Sequence, residues 1–340
     1  MTKNVKIIAA VVVVAVLFAA AWGFGLFGGQ KTEAVKEEPV LRYIVNNLND
    51  ITTVDIALEK GFFEEAGIKV ENVGVAGGGA ASIQAIASGS ADIGNAAMPA
   101  YVNSIAAGTK IKVIYGGPAM AHAGDPGYQL IVREDSGING AKDLAGKTIA
   151  MGARGAMWEY SVREYLRQAG LTVDQVTILI VPPPQHEQVL KSNQVDVVVG
   201  GQPIADNILE NGGARAVANL YNILGEKGAS CGFGSIVRQD LIEQNPELVK
   251  KLVAVYVKTD QWTEANPEEA RKVVAAILEK REQNPVIAKY WKPIHLSDYG
   301  QLSDDHVQYW LDWFIQDGKI KEGEIKPADV YTNEFNPYYK

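Results

Sequence analysis

Residues 84–99 read QAIASGSADIGNAAMP and residues 188–203 read QVLKSNQVDVVVGGQP. Aligned, they share Gln84/Gln188, Ser88/Ser192, Asp92/Asp196 and Pro99/Pro203, each pair 104 residues apart. A second match lies upstream: Ala66-Gly67-Ile68-x-Val70-x-x-Val73 returns as Ala169-Gly170-Leu171-x-Val173-x-x-Val176, 103 residues on. Two matches in one order at a nearly constant shift describe a single unit used twice. In each copy a helix runs into a polar turn, a short apolar strand follows, and a proline opens the next helix.

Working outward, Leu41 to Val45 reads as a strand and Thr53 to Lys60 as a helix stopped by Gly61. Lys69 to Val75 is a second strand before Gly77-Gly78-Gly79 and a helix from Ala80. The later copy offers strands at Thr148 to Met151, Thr177 to Val181 and Val195 to Val199, with helices at Met157 to Ala169 and Gln185 to Lys191. This alternation predicts an α/β protein with two similar lobes, each a mostly parallel sheet covered on both faces. Tyr128 to Val132 and Phe233 to Arg238 read as the strands by which the chain crosses between lobes and returns. The expected division is lobe 1 from 40–130 plus 236–340 and lobe 2 from 131–235. From Pro246 the chain is mostly helical, and Trp310, Trp313 and Phe314 at helical spacing read as core.

Residues 1–29 stand apart from this pattern. Lys3 and Lys6 precede Ile7 to Phe27, a run without a charge, which fits an export signal or a single membrane anchor. Lysines before the run and KTEAVKEEP after it place the rest of the chain outside by the positive-inside rule. Ala19-x-Ala21 offers a cleavage site, and residues 30–39 form a polar linker. The expected location is the periplasm or the outer face of the cytoplasmic membrane.

Several function classes drop out. A formal net charge of −8 argues against nucleic acid, which needs clustered Lys and Arg. The one cysteine, Cys231, allows no intrachain disulfide and no Cys-based metal site, and reads as a small buried hydrophobe. His186-Glu187 lacks a second His four residues on, and neither a Gly-x-Ser-x-Gly elbow nor a Gly-Lys-Ser/Thr phosphate loop is present. No catalytic residue, cofactor or metal is expected.

In open parallel sheets, ligands bind beyond the carboxyl ends of strands, near helix N-termini. The repeat therefore pairs candidate binding positions. In the first lobe they are Asn47 and Asn49, then Gly78, Gly79 and Ala80, then Asn95 and Ala96. In the second they are Arg154, Gly155, Ala156 and Trp158, then Gln185, then Gln202. The glycines either bring backbone N–H groups close to a ligand or simply make tight turns. Arg154, the only cation in these loops, either points inward to pair with a carboxylate, sulfonate or phosphate, or is solvated at the rim.

Several segments resemble a known family: ALEKGFFEEAGIKV, ASGSADIGNAAMPA, AAGTKIKVI, SGINGAKDLAGKTIA and QVLKSNQVDVVVGGQP, with SIVRQDLIEQNPELVKKLV further on. They are similar to the periplasmic solute-binding proteins of nitrate, taurine and aliphatic-sulfonate transporters, a group that includes pyrimidine-precursor binders. The resemblance implies the type 2 periplasmic-binding-protein fold, two lobes joined by two crossing strands and closing on a ligand. It implies a monomer that delivers its cargo to an ATP-driven (ABC) permease. This chain departs from the family pattern at Arg154-Gly155-Ala156, where relatives often have Gly-Ser or Gly-Thr, and before Pro203, where they commonly have Trp or Glu. The ligand expected first is a small organic anion such as a sulfonate, then a pyrimidine-type heterocycle, then an inorganic anion. A ligand-sensing domain with a membrane signalling partner is the other reading.

Overall fold

The computed structural model describes residues 40–48, 50–122, 127–230, 234–293 and 295–340. Residues 1–39, expected from sequence to hold an export segment and a linker, lie outside the described residues, as do Asn49, Cys231 and Phe233. The strands are β1 (Val40–Val45), β2 (Lys69–Val75), β3 (Gly94–Ala96), β4 (Ile111–Tyr115) and β5 (Gln129–Arg133). They continue with β6 (Thr148–Met151), β7 (Thr177–Ile180), β8 (Val197–Gly200), β9 (Ala214–Asn219) and β10 (Gly234–Arg238).

One sheet runs β7-β6-β8-β5-β9. In the other half β2 pairs with β1, and β10 lies between β3 and β4. A bridge between Tyr43 and Ile93 sets β1 beside β3, so the order there reads β2-β1-β3-β10-β4. The internal repeat is thus visible as one strand order used twice. In each sheet four strands run one way, as expected of a mostly parallel sheet, and the crossing strand runs against them. β5 runs antiparallel to β8 and β9, and β10 antiparallel to β3 and β4. The reason lies in the path of the chain. β4 runs to the seam between the sheets, so the strand that follows the crossing starts there and runs the opposite way.

The repeated residues have the same work in both copies. Asp92 donates its N–H to the Arg42 carbonyl (2.8 Å), and its carboxylate accepts the Arg42 N–H (2.9 Å). Asp196 makes the same exchange with Thr148, at 2.9 Å each way. Each aspartate so ties a turn to the start of its lobe's first strand. Burial opposes the Asp92 charge, yet hydrogen bonds from Arg42 and the charges of Arg42 and Arg238 hold its carboxyl below the usual range. Gly67 and Gly170 take left-handed φ of 66° and 76°, ending their helices. The N–H groups of Ile68 and Leu171 then reach back to Phe63 and Leu166, each at 2.9 Å, as a Schellman end requires.

Behind the first sheet the helix Pro246–Ala265 buries Val249, Leu252, Val253 and Tyr256 against Tyr43 and Ile114. The helix Asp304–Gln316 contacts both Met98–Ala106 and Leu220–Ala229, helices that follow strands of different sheets. Its Trp310, Trp313 and Phe314 are buried around Tyr160, with ring centroids 5.9, 5.5 and 5.8 Å away. This helix therefore braces both halves at the seam.

Asp92→Ala should leave the Arg42 N–H without its acceptor and cost about 2 kcal/mol, which calorimetry would read as a Tm lowered by roughly 4–6 °C. Because folding lowers this carboxyl's pKa, the difference from wild type is full above the unfolded value and closes as pH falls through the lower folded one.

Candidate functional site

A pocket of ≈ 760 Å³, counted out to its open mouth, lies where the two sheets meet. Asp50 and Ile51 reach it from the loop after β1, and Met120, Gly127 and Tyr128 from the crossing segment. Trp158, Pro183 and the run Gly200 to Ile204 come from the second sheet's side, and Trp291 from the segment after the helix Pro267–Lys280.

Its walls are aromatic. Tyr128 and Trp158 stack with centroids 4.4 Å apart and planes 15° from parallel. Gly201 lies against the Tyr128 ring so closely that a Cβ there would sit 2.4 Å from it. Gly152 lies in ordinary contact with the Trp158 ring, where a Cβ would be 3.6 Å away. Gly201 is therefore needed for close approach to the Tyr128 ring, whereas the Trp158 ring leaves room for a Cβ at Gly152.

Asp50 is the one charged side chain among the described residues lining the pocket. The protein packed around its carboxyl, with repulsion from Asp55, pushes it up to about 7, and Arg281 only partly offsets this. Arg281 shapes the loop itself, since its guanidinium donates to the Leu48 carbonyl (3.4 Å) and the Asp50 carbonyl (3.0 Å) and pairs with Asp55. Asp55 in turn completes a capping box with Thr52, whose hydroxyl meets the Tyr43 hydroxyl at 3.1 Å. The Asp50 backbone is thereby held by elements from both ends of the chain, and Asn46 Nδ2 lies 3.5 Å from its carboxyl.

Of the residues expected from sequence, Trp158 and Gln202 line the pocket. The glycine-rich loops meet each other instead. A Cβ on Gly78 would lie 3.1 Å from the Ala153 Cβ, and one on Gly155 would lie 3.4 Å from the Ala80 Cβ. Gly79 packs on Ala96, where a Cβ would be 2.8 Å away. Gly78, Ala80, Ala153 and Gly155 let the two halves approach one another, and Gly78, Gly79, Ala80, Gly155 and Ala156 are not among the lining residues. Asn95 and Ala96 are core: the Asn95 amide donates to the Ser235 hydroxyl (3.0 Å), and Ala96 bonds the Tyr101 hydroxyl. Asn47 makes a turn, its carbonyl accepting the Asp50 N–H at 3.1 Å, and Gln185 is exposed ahead of the helix His186–Lys191.

Arg154 does not face the pocket. Its guanidinium lies 3.5 Å from Glu159 and donates to the Ile178 carbonyl at 3.4 Å. Glu159 also accepts the Gly155 N–H (2.9 Å) and Arg163 (3.0 Å). Burial opposes its charge, but these donors hold its carboxyl below the ordinary value. The anion expected at this helix start is therefore supplied by the chain itself, four residues along.

Sequence reading missed Asp50, Tyr128, Met120 and Trp291. Asp50 stands directly after the asparagines that were singled out, and Tyr128 opens a strand read only as a crossing. Trp291 carries no local signal, because its place depends on packing 241 residues from Asp50.

Against this geometry, the comparisons with known proteins agree on a type. A family model described as NMT1/THI5 like matches residues 49–270. A Brucella abortus (strain 2308) protein, provisionally named a binding protein, is 27% identical over 287 residues, 82% of this chain and 86% of its own. The riboflavin-binding protein RibY of Chloroflexus aurantiacus is 25% identical over 57% of each chain. The alkanesulfonate-binding protein SsuA from Xanthomonas axonopodis pv. citri, solved with MOPS, superposes with a TM-score of 0.69 at 18% identity. That match covers 88% of this chain and 100% of the other, and it shows the shared type 2 periplasmic-binding-protein fold.

Folding raises the Asp50 pKa, so between about pH 4 and 7 the unfolded chain gives up a proton that the folded chain keeps. Wild-type stability therefore loses ground as pH rises through this window. Asp50→Asn should melt with wild type at pH 4 and several degrees above it at pH 8, a difference that thermal melts across the pH range would read.

Proposed function

The chain belongs to the NMT1/THI5-like family, and on that premise we propose that it is the solute-binding component of an ABC import system, with a flat heterocycle as its cargo. It acts as an exported monomer that hands its ligand to a membrane permease, and it binds without catalysing. The observation that carries the ligand class is the pocket's chemistry: an aromatic wall beside a carboxyl pushed up to about 7. Stacked rings favour a planar partner. A carboxyl group beside them matches an amidine edge, a ring nitrogen next to an exocyclic amino group, through two parallel hydrogen bonds. One proton is shared in that pair, on the carboxyl or on the ring. Aminopyrimidines have this edge.

A sulfonate or nitrate, the ligand expected first and third from sequence, would meet Asp50 rather than a cation, since Arg154 is engaged by Glu159. The heterocycle therefore replaces the organic anion as the leading reading.

The test is a thermal-melt panel on protein first unfolded and refolded to strip bound cargo. 4-Aminopyrimidine, alkanesulfonates and nitrate are each compared. An aminopyrimidine at about 100 times its Kd should add about 2.7 kcal/mol, a rise of roughly 5 °C. Trp158→Ala should abolish the shift. Affinity should fall about tenfold per pH unit above 7 as the shared proton is lost, and Asp50→Asn, which keeps one donor and one acceptor, should flatten that dependence. A shift with sulfonates or nitrate that Trp158→Ala leaves intact would overturn the ligand class and keep the binding role.

A further inference from the structure

Gln202 lines the pocket, yet both ends of its amide are turned to the backbone of Lys292. Nε2 donates to the Lys292 carbonyl (3.2 Å), and Oε1 accepts the Lys292 N–H (2.8 Å). The two residues belong to opposite sides of the cleft. Gln202 follows β8 of the five-stranded sheet. Lys292 follows Trp291, which packs with Ile56, Val274 and Ile287 on the other side. A primary amide can donate and accept toward one backbone residue at once, as a neighbouring strand does, and a carboxylate or an alkyl chain cannot.

Trp291 is held from behind as well. Its carbonyl accepts Arg271 Nε (2.9 Å), and Glu264 accepts the Leu296 N–H (2.8 Å) further along the segment. On the cleft side, Ile204 packs into the Trp291 cluster, and Lys289 lies 3.6 Å from Glu210. Lys292 is exposed and Gln202 half-buried, so water competes for the two hydrogen bonds. Bonds of that kind are weak enough to open and close.

We propose that Gln202 is a positioning residue: its amide clasps the Lys292 backbone across the cleft and so holds Trp291 as a wall of the binding pocket. The clasp must release for a ligand to enter or leave. This rests on the pocket being the binding site, but it does not depend on which ligand class fills it.

The test needs no ligand, so its failure is separate from failure of the heterocycle reading. Gln202→Met keeps the length of the side chain and removes both hydrogen bonds. Gln202→Glu keeps the acceptor for the Lys292 N–H and removes the donor. Hydrogen exchange resolved at the Lys292 amide should be about tenfold faster in Gln202→Met, the equivalent of about 1.4 kcal/mol, and intermediate in Gln202→Glu. Hydroxyl-radical footprinting should show Trp291 oxidised severalfold faster in Gln202→Met while the buried Trp310 stays protected, which separates a local release from general loosening. Wild-type protection of Lys292 and Trp291 in both variants would overturn the proposal, as would equal deprotection of Trp310. If Gln202→Met does not fold, the same two readouts on Gln202→Glu decide.

Discussion

β5 and β10 each lie between two strands of their sheet and hydrogen-bond on both sides. Each is reached from the half of the chain that builds the other sheet. Neither sheet can be completed until the chain has crossed the seam, because an interior gap would leave two rows of backbone donors and acceptors unpaired. This constraint ties the two lobes into one folding problem. It also brings Met120 and Tyr128 of the crossing segment to the pocket. The pocket is thus a consequence of how the sheets are closed, and apart from Trp291 the other lining residues arrive at strand ends, where parallel sheets present their loops.

Buried charge is managed in two ways around that seam. Asp92 is paired with Arg42, and Glu159 is ringed by Arg154, Arg163 and the Gly155 N–H. Both carboxyls are held below their ordinary range. Asp50 is treated in the opposite way: packing raises it, and the favourable charge of Arg281 does not restore it. A group left under-compensated beside an open pocket lowers stability, and binding sites commonly retain such groups where a ligand completes them. His186 shows that burial alone does not mark such a site. It is pushed down to about 4 by burial, but its Nε2 is satisfied by the Val181 carbonyl at 2.9 Å, as a core histidine would be.

The closing surfaces divide into two kinds of contact. Along one side Gly78 and Ala80 touch Ala153 and Gly155, where small residues let backbones approach and leave no room for a guest. On the other side Gln202 reaches the Lys292 backbone next to Trp291. The first is packing without polar partners. The second is polar and partly wet, and therefore the easier one to reverse.

What the sequence by itself determined was local and repeated. Gly67 and Gly170 ended helices because a left-handed residue there favours glycine, and Asp92 and Asp196 tied turns to strands through bonds within one βαβ unit. Those features follow from turn chemistry and periodicity, so the α/β class, the two lobes and the crossing strands could be read from the chain. Trp158 was legible for the same reason, since it stands at a helix start beyond a strand end. Which loops would face empty space was decided only by the tertiary structure. The Gly78 and Gly155 loops looked alike as binding loops, and close packing filled each with the other. Arg154 looked free, and Glu159 took it. Asp50 and Trp291 reach one pocket from positions far apart in the chain, and nothing near either residue encodes the distance between them, because a cavity is the space that packing leaves rather than a property of any segment.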